Sequence, residues 1–275
     1  MEQNKERLEI LEKLREYEKN GWFDKDLEND PPTLPLDYMK VDYTQRKLSS
    51  KIKTKIANAV ARNYFDGLIK KNQLIIKEIR GIENYLSVNG GAIITCNHFN
   101  PFDNYAVYKA IQPYMEKEKR QLYKIIREGN YTSFKGLYGY FFRNCNTLPL
   151  TSSAKGLSVF MKAVAELLQR GEKILIYPEQ GMWWNYRKPR PLKDGAFSIA
   201  AKNGVPIIPI FITMEDSDEY DPNGFPVQAY TLNFLSPIYP DSEKNRKENV
   251  SEMRERNFAL WKSTYEEFYK KELTY

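Results

Sequence analysis

The sequence has one histidine, two cysteines and no long apolar run, and each shortage excludes something. His98, Cys96 and Cys145 are too few soft ligands for a structural zinc site, and the two cysteines sit in apolar surroundings without metal-ligand spacing. Such sparse cysteine suits a reducing compartment rather than a disulfide scaffold. No apolar stretch reaches the roughly 18 residues a membrane-spanning helix requires, and the mean hydropathy is −0.65. The opening Met1-Glu2-Gln3-Asn4-Lys5-Glu6-Arg7 leads into a charged amphipathic segment without a signal core, which predicts a cytoplasmic location. Internal repeats and low-complexity segments are also lacking.

What is present describes a folded chain. Charged residues make up 28% and aromatics 14% of 275 residues, which is enough for a sizeable core in one large domain with helical additions. The formal charge of +6 biases the surface toward anions such as lipid headgroups, phosphate-bearing cofactors or nucleic acid. Nucleic acid is disfavoured, because no recognised binding module occurs and 36 acidic residues lie scattered among the 42 basic ones.

Along the chain, residues 2–20 carry Leu8, Leu11, Leu14 and Tyr17 at helical spacing and predict a solvent-facing amphipathic helix. Residues 21–46, broken by Gly21, Pro31-Pro32 and Pro35, predict an extended arm. A second helix follows over 48–71, with Ile52, Ile56, Val60, Tyr64 and Leu68 each four apart and lysines and arginines over much of the rest. That stripe suits docking on the core, the favoured reading, or an interfacial helix on an anionic membrane. Strands are expected at 74–80, 93–96, 120–127, 147–150, 173–177, 205–213 and 230–234. Helices are expected at 102–114, 154–170, 195–202 and 248–271, with 129–143 an aromatic helix or loop. Alternating strands and helices define an α/β fold with a largely parallel central sheet flanked by helices and extended by N-terminal and C-terminal helices. The predicted division is 1–72 for the helices and arm, a candidate membrane-contact element, 73–240 for the α/β core, and 241–275 for a terminal helix packed on it.

One stretch organises the rest. Gly90-Gly91 precedes the apolar run Ala92 to Cys96, a strand, and Asn97-His98-Phe99-Asn100-Pro101-Phe102-Asp103 then turns into a helix. Asn100 is placed to cap, Pro101 to take the first helical position and Asp103 to lie near the third. His98 past a strand end and Asp103 at a helix start are close enough to meet. An imidazole beside a carboxylate is a general base with a fixed tautomer, though a lone histidine satisfied at a strand end is the bland alternative.

Two further segments narrow the choice. Ile174-Leu175-Ile176-Tyr177 runs into Pro178-Glu179-Gln180-Gly181-Met182-Trp183-Trp184, placing a carboxylate and a glycine loop at a strand's carboxyl end, where open α/β sheets bind ligands. Val205-Pro206-Ile207-Ile208-Pro209 opens another apolar strand. In this order and spacing, over residues 75–235, the sequence resembles the phospholipid/glycerol acyltransferase family, whose best-known members acylate lysophosphatidic acid. The N-H-x4-D motif is matched at Asn97, His98 and Asp103. P-E-G-T-R is matched at Pro178 and Glu179 with Gly181 displaced by one place, and V-P-I-x-P at Val205, Pro206, Ile207 and Pro209.

The resemblance implies that His98 deprotonates an acceptor hydroxyl, oriented by Asp103, and that the hydroxyl attacks the thioester of acyl-CoA or an acyl carrier protein directly. The residues agree, since the chain has no G-x-S-x-G elbow and no second histidine to activate a cysteine. No cofactor or metal is expected beyond that co-substrate. The family binds its acceptor's phosphate with arginines in its second and third motifs. Here Met182 and Trp183 stand where the third-motif arginine belongs, and the strand Asn146–Leu150 has none. Arg143 is a stand-in at an unusual distance, and Arg187, Lys188, Arg190 and Lys193 form a proline-stiffened cationic loop that either contacts phosphate or is simply solvated. Asn97, Glu179 and Gly181 complete the substrate-binding set. Glu179 either accepts from acceptor hydroxyls, the favoured reading, or caps a helix and pairs with Lys193. Trp183 and Trp184 line a groove or belong to the core.

The expected function is acyl transfer to a lysophosphatidic acid-like glycerolipid by a cytoplasmic enzyme, peripheral on the inner face of an anionic membrane. The alternatives are the same chemistry on a glycolipid, polymer or amine, or a non-catalytic anionic-lipid binder.

Overall fold

The computed structural model describes residues 3–275. Met1 and Glu2, which include the start of the helix expected over 2–20, lie outside the described residues. The strands are β1 (Ile75–Arg80), β2 (Ala92–Cys96), β3 (Leu122–Ile126), β4 (Thr147–Pro149), β5 (Lys173–Ile176), β6 (Ile207–Tyr220) and β7 (Pro226–Phe234). They form one sheet in the order β1-β7-β6-β2-β5-β3-β4. Every pairing is parallel except β6 with β7. The helices are α1 (Lys5–Lys19), α2 (Leu48–Lys70), α3 (Ile82–Leu86), α4 (Asp103–Glu118), α5 (Glu128–Thr132), α6 (Gly136–Asn144), α7 (Ala154–Gln169), α8 (Gly195–Asn203) and α9 (Arg246–Tyr269).

β2 lies mid-sheet between β5 and β6, and all five of its residues are buried. Its pleat sends Ile94 and Cys96 into the core under α2 and α4, and Ile93 into the core under α7, α8 and α9. Truncating Ile93 or Ile94 to alanine therefore costs about 2–5 kcal/mol. Gly91 opens the strand because a Cβ there would run into the Leu168 carbonyl at the end of α7.

Four local differences from the sequence reading have physical causes. β6 and β7 run on into a long antiparallel ribbon turned at Asp221-Pro222-Asn223-Gly224. Its outer residues, Glu215 to Tyr220, are mostly exposed and carry no apolar alternation to mark a strand. α4 starts at Asp103 rather than at Pro101, because Asn100 Oδ1 accepts from the Phe102 amide (3.0 Å) and holds a turn before the helix. It also continues through Pro113 to Glu118, since Ala110, Ile111 and Met115 keep packing on the core.

The third difference is in α2, which buries Thr54, Ala57, Ala61 and Phe65 on its docked face, while only Tyr64 and Leu68 of the expected stripe pack against the core. Ile52, Ile56 and Val60 are left 51%, 54% and 41% exposed. Small residues allow the helix a close approach on the face where they lie. The last concerns α1, which is not simply solvent-facing. Ile10 and Leu14 are buried in a third apolar cluster with Leu27, Trp183, Trp184, Tyr186 and Phe225. Among the described residues, no helix is long and apolar enough to cross a membrane.

Candidate active site

β2 delivers Asn97 and His98 at the carboxyl edge of the sheet, and α4 opens with Asp103. His98 Nδ1 lies 2.8 Å from Asp103 Oδ2, the contact the spacing anticipates. The Asp103 carboxylate is fully buried, and its needs are met locally: Oδ2 also accepts from the amides of Phe99 (3.1 Å) and Asn100 (3.3 Å). A carboxylate can only accept, so Nδ1 carries the hydrogen and Nε2 has the free lone pair. Among the described residues Nε2 has no hydrogen-bond partner, and the His98 side chain is 21% exposed.

Tyr177, directly after β5, completes this constellation and is not singled out by sequence. Its hydroxyl donates to Asp103 Oδ1 at 2.6 Å, and its ring stacks on the His98 ring, with centroids 4.0 Å apart and planes 18° apart. Burial, followed by the neighbouring Asp103 charge, pushes the Tyr177 hydroxyl well above its ordinary pKa and keeps it a neutral donor. The Asp103 contact thus fixes the imidazole tautomer and the Tyr177 stack fixes the ring plane.

Glu179 departs from the acceptor-binding reading. It is 4% exposed; Oε2 accepts from the His98 amide at 3.0 Å and Oε1 from the Arg190 amide at 2.7 Å. Its ionic partner is not Lys193 but Arg190, 1% exposed, whose Nη2 lies 3.2 Å from Oε2 and also donates to the Gly181 carbonyl. The Arg190 guanidinium lies over the Trp183 ring, 4.8 Å from its centroid. Both residues are internal scaffold for the histidine turn. Asn97 is scaffold as well: buried, it exchanges two hydrogen bonds with the Ile212 backbone (3.0 and 2.8 Å) and ties β2 to β6.

The remaining cations of the loop are also engaged. Arg187 pairs with Asp216 (2.7 Å), Lys188 with Glu18 and the Thr274 carbonyl, and Arg143 folds back on the carbonyls of Tyr131 and Phe134 (3.2 and 2.9 Å). Lys193 alone of the set is exposed with no side-chain partner among the described residues. Gly181 is buried against Asp26, and Trp183 and Trp184 belong to the third apolar cluster rather than to an open groove. The Trp183 amide donates to the His98 carbonyl (3.1 Å) and the Asn185 amide to that of Phe99 (2.8 Å), so the loop after Glu179 clamps the histidine turn. The buried Glu179–Arg190 pair leaves no local trace in the sequence, because its partners are set by burial rather than by spacing.

The site thus presents a histidine held by a buried aspartate at the carboxyl edge of an α/β sheet, an arrangement able to accept a proton. Residues 77–213 match the family model described as Acyltransferase, and the chain belongs to that family. The 1-acyl-sn-glycerol-3-phosphate acyltransferase BAT2, chloroplastic, of Brassica napus is 30% identical over 134 residues, 48% of this chain and 36% of that protein. The chain therefore spans about a third of the length of the curated relative it matches. The solved structure of the 1-acyl-sn-glycerophosphate (LPA) acyltransferase PlsC from Thermotoga maritima is similar at 17% identity, covering 98% of this chain and 97% of that one with a TM-score of 0.49.

Proposed function

We propose that the chain transfers an acyl group from a thioester, acyl-CoA or acyl carrier protein, to a hydroxyl of a lysophosphatidic acid-like glycerolipid. The observation that carries this reading is the 2.8 Å His98–Asp103 contact with Nε2 left unpartnered at the carboxyl edge of the sheet. His98 Nε2 takes the acceptor's proton as its oxygen attacks the thioester carbonyl. Collapse of the tetrahedral adduct breaks the C–S bond, and the imidazolium returns the proton to the departing thiolate. An ester and a thiol result, the base is regenerated, and neither an acyl-enzyme nor a cofactor enters. The acceptor class is supported by the similarity to the 1-acyl-sn-glycerol-3-phosphate acyltransferase of Brassica napus.

The reaction is proposed to occur on an anionic membrane surface. Leu48, Ile52, Ile56 and Val60 form an exposed apolar row on α2 with Lys51, Lys53 and Lys55 interleaved, and further along the helix Tyr64 meets the exposed Tyr138 of α6. An apolar ridge with lysines at its flanks suits the interface of an anionic bilayer.

Thiol release from acyl-CoA with lysophosphatidic acid, comparing wild type with His98→Ala, tests the reaction. Loss by roughly 10²–10⁴-fold is expected for a general base with no substitute histidine. Retention of most turnover removes His98 from the chemistry. A second reading, acylation of a glycolipid, polymer or amine, is favoured by the internal pairing of Arg187, Lys188 and Arg190. Turnover restricted to an uncharged acceptor selects it.

A further inference from the structure

Away from the dyad, a cleft of about 930 Å³ opens between α2, one flank of α4 and the amino-terminal ends of β3 and β4. Seven of its lining residues are lysine or arginine and two are glutamate, an excess of five positive charges in a chain whose formal net charge is +6. Arg46, Arg62 and Arg170 are paired with Glu166, Glu116 and Glu172. Lys51, Lys55 and Arg120 have no carboxylate partner among the described residues. The floor is polar: Asn58 donates to Asn146 (2.6 Å), Asn146 donates to Gln121, and Lys124 Nζ donates to the Cys145 carbonyl (2.9 Å). Most of the molecule's charge excess is therefore concentrated in one concave site, at a volume typical of ligand clefts. Low-dielectric walls focus the field of such an arrangement on an anion.

The cleft's position selects the anion. Tyr108 lies ~8 Å along α4 from Asp103 and Glu116 ~20 Å along it, at 1.5 Å per residue. Arg120 follows the helix's end, so the unpaired cations stand beside the end of α4 opposite to Asp103. A glycerol phosphate is too short to place its hydroxyl at His98 and its phosphate there. A long donor does both. The partly exposed Tyr108 offers a ring at the mouth beside Arg62, whose Nη1 donates to the Tyr108 hydroxyl (3.4 Å).

We infer that this cleft binds the phosphate-bearing nucleotide end of a coenzyme-A thioester, with the pantetheine arm running along α4 toward His98. The inference rests on the thioester-donor reading above and deepens it. A carrier protein carries the same arm, but a protein partner needs a broad, mostly flat surface of about 1,200–2,000 Å² in total, whereas these cations line a concavity. Anionic lipid headgroups share the phosphate chemistry and are the competing source.

The test is calorimetric titration of the full chain with coenzyme A and with adenosine 3′,5′-bisphosphate, wild type beside Lys51→Gln/Lys55→Gln/Arg120→Gln. All three side chains are exposed, so the fold survives their change. Both probes are expected to compete for one site in wild type and to bind at least about tenfold more weakly to the variant, through loss of charge-assisted contacts. The KM for acyl-CoA rises by a similar factor with kcat unchanged, as for an interaction equal in ground and transition states. Turnover of an acyl-pantetheine thioester, which lacks the nucleotide, stays the same in both proteins. Absence of coenzyme A binding in wild type, or equal binding in both proteins, overturns the assignment even where transfer activity is intact. Loss in the variant of vesicle binding or of acyl carrier protein turnover, with coenzyme A binding unchanged, overturns it in favour of lipid or carrier protein. Charge-dependent coenzyme A binding without turnover of any donor leaves the cleft standing and removes the proposed reaction.

Discussion

Glu179 Oε2 accepts the backbone amide of His98 at 3.0 Å and faces the Arg190 guanidinium at 3.2 Å, so one buried carboxylate joins the histidine turn to a buried cation. Arg190 has no simple substitute. Its Nη2 meets both Glu179 and the Gly181 carbonyl while Nη1 reaches the Phe23 carbonyl (3.3 Å), a fork that a lysine ammonium cannot reproduce. Arg190→Met leaves Glu179 charged, buried and unpaired, at a cost of about 3–5 kcal/mol. The expected result is a Tm lowered by roughly 10 °C, with Arg190→Lys recovering only part of it. A Tm within two degrees of wild type, by calorimetry, would show that the pair does not hold the turn.

Tyr177 contributes by two separable contacts. Tyr177→Phe keeps the ring stacked on His98 and deletes the 2.6 Å hydrogen bond to Asp103. A hydrogen bond to a charged group is worth about 1.5–3 kcal/mol, so stability falls by that amount. Tyr177→Ala also frees the imidazole plane. The predicted order of kcat for thiol release is wild type, then Phe, then Ala, with the KM for the acyl donor little changed in the Phe variant. Equal kcat in all three proteins contradicts a role in fixing the ring.

The meeting of His98 with Asp103 is legible in the sequence because a strand end, a turn and a helix start are each marked by local chemistry: Gly90-Gly91, Asn100-Pro101 and the apolar run between them. The Tyr177 contact is not, since a tyrosine closing the apolar run Ile174-Leu175-Ile176 reads as core until the fold brings β5 beside β2. The α2 docking face escapes for a related reason. Hydrophobicity favours Ile52, Ile56 and Val60, but close packing is set by Thr54, Ala57 and Ala61, whose small size carries little periodic signal. The cationic loop illustrates the same limit: Arg187 and Lys188 find their partners on β6 and α1, at distances along the chain that no spacing rule reaches.

Lys173 makes stability depend on pH in an identifiable direction. It is 2% exposed at the start of β5, donates to the carbonyls of Val88 (2.9 Å) and Gly90 (2.6 Å), and burial pushes its ammonium from 10.5 down to about 8. Glu118 opposes that shift and Arg120 adds to it. Between pH 8 and 10.5 the unfolded chain holds the proton that the folded chain has released, so this group's contribution to stability rises with pH across that window. The rise amounts to about 3 kcal/mol at one unit per 1.36 kcal/mol. Urea unfolding at pH 8, 9 and 10 is expected to give a wild-type minus Lys173→Met difference that grows steadily. A constant difference means that the lysine titrates normally. Taking the difference removes the tyrosines, which titrate in the same region.

The exposed ridge of α2 separates membrane attachment from folding. Ile52 and Ile56 are about half exposed and lie off the docked face, so replacing both with glutamate removes no core contact. Such surface changes alter stability by about 0.5 kcal/mol or less each, and the Tm stays nearly fixed. Two carboxylates on an apolar ridge set among Lys51, Lys53 and Lys55 act against membrane contact twice: they remove buried apolar area and they repel anionic lipid. Ile52→Glu/Ile56→Glu is therefore predicted to cosediment at least about tenfold less with phosphatidylglycerol-containing vesicles. Turnover of a water-soluble, short-chain acceptor stays at the wild-type rate. Undiminished cosedimentation would place the attachment elsewhere, whereas lost cosedimentation together with a lowered Tm would mean that the ridge packs against the protein itself.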